Sequence, residues 1–565
     1  MNKNLHRVIF NKARGIRMVV QEIASSEGKA SGGSTQTGGS GETLANSACP
    51  TRSLLADLSL APVSAAAKTA GMLALALGAQ ASLAQIIADP SAPNRQRPTV
   101  LQSANGTPTV NIQTPSAGGV SRNTYQQFDI GQKGAILNNS RTNVQTQIGG
   151  WVQGNPWLAN GGARVIVNEV NSAAQTRLMG PLEVAGQRAD VIIANPSGLV
   201  VDGLSFINAA GVTLTTGRPL YGANGSLGGF NVQNGLISIQ GSGMDASKAD
   251  YANILARAIS LNAGLWAQDL RVVTGVNEVT ADGSVQQGNA MAAGGDFSQK
   301  PQFALDVAQL GGMYAGKIFI VGTEAGLGVK NAGTVSASSG RLTLSADGLL
   351  SNSGTLASNA DSADLSISAK GVDNGGTISS QRNAVLQDGG AGFNNSGALK
   401  AGQQLLIEAG RISNQGSGSI TAQRLDVTAT GLSNAGNIAQ TGAQSLLISS
   451  ATLANTGSNA VLGAPPASTA SEGSGTGTGS GTGTGESSGS GAAPTSSQDG
   501  SAIQTTPVAP VILADGHIQV AQDIDNTGKL LANGASDISV SEALTNSGTA
   551  NVRQLHSEGI LNNSQ

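Results

Sequence analysis

Residues 331–376 read NAGTVSASSGRLTLSADGLLSNSGTLASNADSADLSISAKGVDNGG, and within them an Asn is followed two positions later by Gly at Asn331, Asn352 and Asn374. The same pair returns at Asn395, Asn414, Asn434 and Asn455, so that the gaps run 21, 22, 21, 19, 20 and 21 residues. A period that regular is one supersecondary unit repeated. Nine or ten residues before most of these asparagines stands an alternating apolar pair: Leu342/Leu344, Leu365/Ile367, Leu425/Val427, Leu446/Ile448. Alternation means a strand with one buried face, and a short strand-and-corner unit buries that face only by stacking on its neighbours. Asn tolerates the left-handed backbone region and Gly enters it freely, so Asn-x-Gly marks a tight corner. Asparagines stacked at such corners are expected to bond from coil to coil.

Composition agrees with a solenoid. Glycine is 79 of 565 residues, aromatics are 3% and charged residues 12%. A chain this long with so few large side chains does not fill thick globular cores, whereas coils covered by their neighbours need only Leu, Ile, Val and Ala. A net charge of −3 gives neither a basic nucleic-acid footprint nor an acidic tail. Thirteen of the fifteen aromatics lie between Tyr125 and Phe319, which sets that region apart from the repeats.

Working back to the N-terminus, an apolar run at 71–79 follows Lys68 and ends in Ser82-Leu83-Ala84. It is too short to span a bilayer and reads as a signal peptide cut between Ala84 and Gln85. Residues 1–84 are therefore a leader, whose basic first 30 residues also suit an amphipathic helix at a membrane surface. Cys49, the only cysteine, falls inside it, leaving the mature chain without disulfides.

From 85 to about 325 short apolar strands alternate with Gly, Asn and Pro, and only Tyr251–Leu261 offers a competing helical period. Two stretches stand out: Asn155-Pro156-Trp157-Leu158, and Asn195-Pro196-Ser197-Gly198-Leu199 after the strand Val191-Ile192-Ile193-Ala194. Each is a Pro-set turn, and Gly198 is free to take a positive φ. Repeats occupy 326–463. Residues 464–510, rich in Gly, Ser, Thr and Pro, read as a disordered linker. Repeats resume over 511–565 with Asn526 and Asn546. The Asn455-to-Asn526 gap of 71, less the 47 linker residues, leaves 24, close to one coil. The linker is thus inserted in the stack, either as a loop from one coil or as a hinge between two rods. No polar cap follows Asn562-Asn563-Ser564-Gln565, so these last repeats are expected to be uncapped.

The two Asn-Pro stretches, with ARVIVNEV (163–170) after the first and ARAISLNAGLWAQDLRVVTGVNEV (256–279) beyond the second, resemble the secretion domain of filamentous-haemagglutinin-type two-partner secretion exoproteins. Ser197 stands where that family's second motif has Asn, Leu199 where it has Ile, and Trp157 at the Asn position of the first. Residues 1–30 are similar to the extended signal-peptide region of large Gram-negative exported proteins. The resemblance implies an all-β, right-handed parallel β-helix with an N-terminal cap and extra-helical hairpins. It implies that Asn155, Pro156, Trp157, Leu158 and Asn195 to Leu199 act as secretion motifs. The implied partner is an outer-membrane transporter engaged through its periplasmic domains, and the implied place is the cell surface or medium. A filamentous adhesin recognising a host-cell or bacterial surface receptor or glycan is the leading function, with the N-terminal stick of a contact-dependent growth-inhibition toxin as the alternative.

An enzyme on a β-helix is less well supported. Asp190, Asp202, Asp245, Asp250, Glu278 and Asp306 share no strand-period spacing that would place them on one face, and the only histidines after the leader are His517 and His556. No cofactor, metal or nucleic-acid site is expected, and no membrane span remains after cleavage.

Overall fold

The computed structural model describes residues 6–11, 16–21, 85–287, 301, 303–442, 446–463, 516–531, 536–551 and 554–563. The leader's hydrophobic core at 71–79, Ala84 and the linker 464–510 lie outside the described residues. The chain divides into two units, residues 1–79 and 80–565.

In the first unit His6–Asn11 and Ile16–Gln21 pair antiparallel, His6 opposite Gln21 and Asn11 opposite Ile16. The amphipathic helix that these basic residues also suit is not what forms here. The runs Val8-Ile9-Phe10 and Met18-Val19-Val20 favour strands because branched and aromatic side chains fit a pleated surface.

The second unit is a parallel β-helix with three walls, each coil contributing one strand to each. The first wall stacks Val165–Val170, Ala189–Ala194, Ala209–Thr215 and Tyr251–Ala256. The second stacks Thr176–Leu178, Leu199–Val201, Leu236–Ile239 and Ala258–Leu261. The third stacks Ala135–Asn139, Pro181–Gly186, Leu204–Ile207 and Met244–Ala246. Tyr251–Leu261, where a helical period competed, is thus two strands joined at Arg257. Register carries one inward row through the coils: Ile166 meets Val191, then Val212, then Ala252. Each of these is buried, and a fully buried Val or Ile contributes about 1.5–3 kcal/mol.

The run Val191-Ile192-Ile193-Ala194 lacks alternation because its wall is covered on both faces. Outside it lies an antiparallel sheet of Arg218–Tyr221, Leu227–Val232, Asn277–Thr280 and Val285–Gln287. Phe230, Val232 and Val279 of that sheet pack on the outward Val167, Ile192 and Leu255. A smaller hairpin, Val144–Thr146 with Gly150–Val152, packs Val152 on Ile136 and Ala185 of the third wall. The Glu183 carboxylate holds it by accepting the N–H groups of Gln147 and Ile148 at 2.8–2.9 Å. At the N-terminal end Ile86–Ala88 covers Val120–Phe128 antiparallel, and Thr99–Gln102 folds back on Pro108–Asn111. Those strands close edges that would otherwise invite pairing.

In the repeats one long strand bends across two walls, as Leu342–Asn352 does against Leu365–Asn374. The expected asparagine ladder is present at the corner between second and third walls. Each Nδ2 donates to the Oδ1 of the next coil: Asn331 to Asn352 at 2.8 Å, Asn352 to Asn374 at 2.7 Å, and Asn374 to Asn395 at 2.8 Å. It continues through Asn414, Asn434, Asn455, Asn526 and Asn546 to Asn563. One apolar core runs continuously from Ile86 to Leu544.

Candidate functional site

Asn195 ends the first-wall strand Ala189–Ala194 and is fully buried. Its Oδ1 accepts the Ser197 N–H at 2.9 Å, while its Nδ2 donates to the Ala174 carbonyl at 2.9 Å and to Thr176 Oγ1 at 3.0 Å. The main chain closes over the same residues, Gly198 N–H donating to the Asn195 carbonyl at 3.0 Å. Gly198 has φ +105°, and a Cβ there would lie 2.8 Å from the Leu236 carbonyl oxygen, so the position excludes a side chain twice over. Ser197, where the resembling family has Asn, uses its backbone N–H for the turn and its hydroxyl to reach the Ser172 carbonyl at 3.0 Å. Leu199 is buried at the start of the next wall.

Asn155 repeats this construction. Its Oδ1 accepts the Trp157 N–H at 3.0 Å, and its Nδ2 donates to the carbonyls of Ile112 and Asn138, both at 2.9 Å. Pro156–Leu158 forms a single 3-10 turn capped by that side chain. Leu158 is buried and Trp157 is 45% exposed, its indole N–H donating to Thr99 Oγ1 at 3.3 Å. At both corners, then, the asparagine is committed to the wall and the next two residues face outward.

The corners do not converge on one cavity. Pro196 and Ser197 line a polar cleft of about 340 Å³ with Arg122, Glu169 and Arg218. Asn155, Pro156 and Leu158 line another with Arg141 and Thr142. In the first cleft the Arg122 Nη2 meets the Glu169 carboxylate at 2.9 Å, and the guanidinium lies 4.6 Å from the centre of the Tyr221 ring. Burial, with Glu169 nearby, pushes the Tyr221 hydroxyl well above the ordinary phenol range, so it stays protonated. Arg122, Glu169 and Arg218 were not singled out as a group by sequence reading, because they come from three segments that only stacking unites. Beside Glu169, Asn168 is buried between coils, accepting from the Tyr125 hydroxyl at 2.9 Å and donating to the Ile192 carbonyl at 3.1 Å.

Of the six carboxylates named from the sequence, Asp190 and Asp250 feel each other's charge. Asp190 faces the next strand where that strand carries one extra residue, Ala189 and Val191 pairing with Ala209 and Val212, and Tyr251, which follows Asp250, pairs with Gly211 of the same strand. Burial raises the Asp190 carboxyl above its ordinary range against hydrogen bonds from Tyr251 and Gly211, and the Asp250 charge adds to the rise. Arg188 holds Asp250 with two bonds of 2.9 and 3.1 Å. Among the described residues no three His, Cys, Asp or Glu side chains group as a metal site. Nor, among them, is any helix long and apolar enough to cross a membrane.

Residues 84–352 match the family described as the TPS secretion domain, and residues 1–51 match the Extended Signal Peptide of Type V secretion system. A protein named Toxin CdiA from Yersinia pestis is 50% identical over 352 residues, which is 62% of this chain and 10% of that protein. The tRNA nuclease CdiA-2 of Burkholderia pseudomallei (strain 1026b) is 46% identical over 352 residues, again 62% of this chain and 10% of that protein. The chain therefore spans about a tenth of the length of these relatives. Among solved structures, a filamentous hemagglutinin secretion domain aligns with 60% of this chain and 99% of its own, at 29% identity and a TM-score of 0.43.

Proposed function

This chain carries the secretion domain of two-partner secretion exoproteins behind an extended type V signal peptide and is exported across the outer membrane, and from that premise we propose that the corners at Asn155 and Asn195 are what its transporter reads. The observation that carries this is their shared construction. In each, a buried asparagine pins the turn to the wall and leaves a Pro and the following residue at the surface. A transporter's periplasmic domains are given a backbone shape fixed in advance, and preorganised surfaces lose little entropy on binding. In this reading 85–325 is the export module, 326–463 and 511–565 are the displayed repeats, and 464–510 is a linker between their coils.

Co-expression with the partner transporter, followed by measurement of the secreted fraction, tests the assignment. Asn155→Ala and Asn195→Ala are expected to leave chain in the periplasm, and Ser197→Asn to be exported as the parent is. If the two alanine variants fold and are secreted at the parent level, the assignment is wrong.

Beyond export, the reading supported best is a surface-displayed filamentous adhesin, because the exported body is a β-helix offering long, shallow, polar walls. Relatives named as toxins and tRNA nucleases support a second reading, in which this exported β-helix is the delivery portion of a contact-dependent toxin.

A further inference from the structure

Two aromatic rings lie on the outer face of the third wall. Trp266 and Tyr314 occupy the same register position of adjacent strands, Gly264–Thr274 and Gly312–Gly322. Their ring centroids are 6.1 Å apart, their planes are within 19° of each other, and the residues are 42% and 39% exposed. Each ring rests over a glycine of its own strand, two positions earlier. A Cβ on Gly264 would fall 2.3 Å from Trp266 Cη2, and one on Gly312 would fall 2.6 Å from Tyr314 Cε2. The paired Gly-x-aromatic pattern therefore lays both rings down along the wall as a two-ring shelf.

Next to the shelf the strands turn a corner, and there a cleft of about 490 Å³ is lined by Gln268, Asp269, Lys317, Ser338 and Ser339, with Asp250 at its edge. Its charges are balanced within the chain: Lys317 stands 3.8 Å from Asp269, and Asp250 is held by Arg188. The surface is thus apolar at the two rings, with the exposed Asp245 in register beside Trp266, and on the other side it is rich in hydrogen-bonding groups whose charges are paired.

We propose that this is a binding subsite for a neutral saccharide. The C–H faces of two adjoining sugar rings lie on Trp266 and Tyr314, and their hydroxyls reach Gln268, Asp269 and Lys317. Other occupants fit less well. Nucleic acid and sulfated polysaccharide need an excess of cation, which the paired charges here deny them. A partner strand needs free main-chain groups, but Trp266 already pairs with Asp245 and Tyr314, and Tyr314 pairs onward with Ser336. The proposal goes beyond export and rests on the chain being displayed outside the cell.

The secreted chain is titrated with neutral β-linked glucose, galactose and N-acetylglucosamine oligosaccharides, with heparin as the anionic comparator. Binding is read by saturation-transfer NMR and calorimetry. At least one neutral oligosaccharide is expected to bind, and Trp266→Ala and Tyr314→Ala each to weaken it about tenfold, the order of one lost stacking contact. Gly264→Ala keeps both rings but lifts one off the wall, and is expected to weaken binding as well. The secreted fraction of every variant is measured alongside and is expected to stay at the parent level, which separates a failure of recognition from a failure of export. No binding of any neutral oligosaccharide at millimolar concentration overturns the proposal. So does binding that ignores both aromatic substitutions, or a preference for heparin.

Discussion

Asn455 and Asn526 are 71 positions apart in the chain, yet the amide of one donates to the carbonyl oxygen of the other at 2.7 Å. Around them Leu447–Asn455 pairs directly with Gly516–Val520 and Ile524–Asn526, and Val461–Gly463 pairs with Lys529–Leu531. Coils on either side of residues 464–515 are therefore stacking neighbours in unbroken register. Replacing those residues by a six-residue Gly/Ser connector is expected to preserve the β-sheet circular dichroism. An eightfold shorter loop amounts to three halvings, worth about 2 kcal/mol if the loop is unstructured. A lower unfolding midpoint would mean that the segment itself holds the stack together.

Within the ladder, Asn395 accepts from Asn374 and donates to Asn414, both at 2.8 Å, and is fully buried. Asn395→Leu strands a donor and an acceptor on its neighbours and is expected to destabilise by about 2–4 kcal/mol in urea unfolding. Asn395→Asp carries a pH signature. Burial raises its carboxyl in the folded state, so the variant is most stable below the unfolded value near 4 and loses stability as pH rises. A variant equally stable from pH 4 to pH 7 would show that the corner admits solvent.

Arg257 and Glu324 face each other with side chains 8% and 13% exposed and bonds of 2.9 and 3.1 Å. Glu324→Ala leaves a guanidinium buried without its partner and is expected to cost about 3–5 kcal/mol. Arg257→Met combined with Glu324→Leu removes both charges and is expected to recover most of that. A double variant as unstable as the single one would place the cost in packing.

Asp190 gives a prediction of the opposite kind from most carboxylates. Its folded-state carboxyl is raised by burial and by Asp250, so the folded chain binds the proton more tightly than the unfolded chain does. Stability from this group is full at low pH and falls as pH rises out of the ordinary carboxylate range. Asp190→Asn still accepts from Tyr251 and removes that slope. It is expected to be at least as stable as the parent at pH 7 and to lose the advantage by pH 3, as read by thermal unfolding.

The period of the repeats was legible because Asn331 to Asn455 each do the same job at the same corner, and a job done seven times leaves its spacing in the sequence. The Asn-Pro corners were legible for a similar reason, since only certain residues close such turns. Proximity created by insertions was not. Asp190 and Asp250 are separated by two coils plus two strands of the extra-helical sheet, so no strand-period count pairs them. Trp266 and Tyr314 are separated in the same way by the second half of that sheet. The helical hint at Tyr251–Leu261 arose because two strands meeting at Arg257 place apolar residues at mixed spacings, and stacking on both neighbours decided the outcome.

The pairing across Asn455 and Asn526 also has a mechanical meaning. Main-chain bonds between coils run along the β-helix axis, so tension on a tethered chain is handed from coil to coil and crosses at this pair. Those bonds are separate from the covalent link between 463 and 516. A protease cut within it therefore leaves the two flanking blocks fastened to each other, and a pulling force meets the same coil-to-coil resistance there as in the uncut repeats.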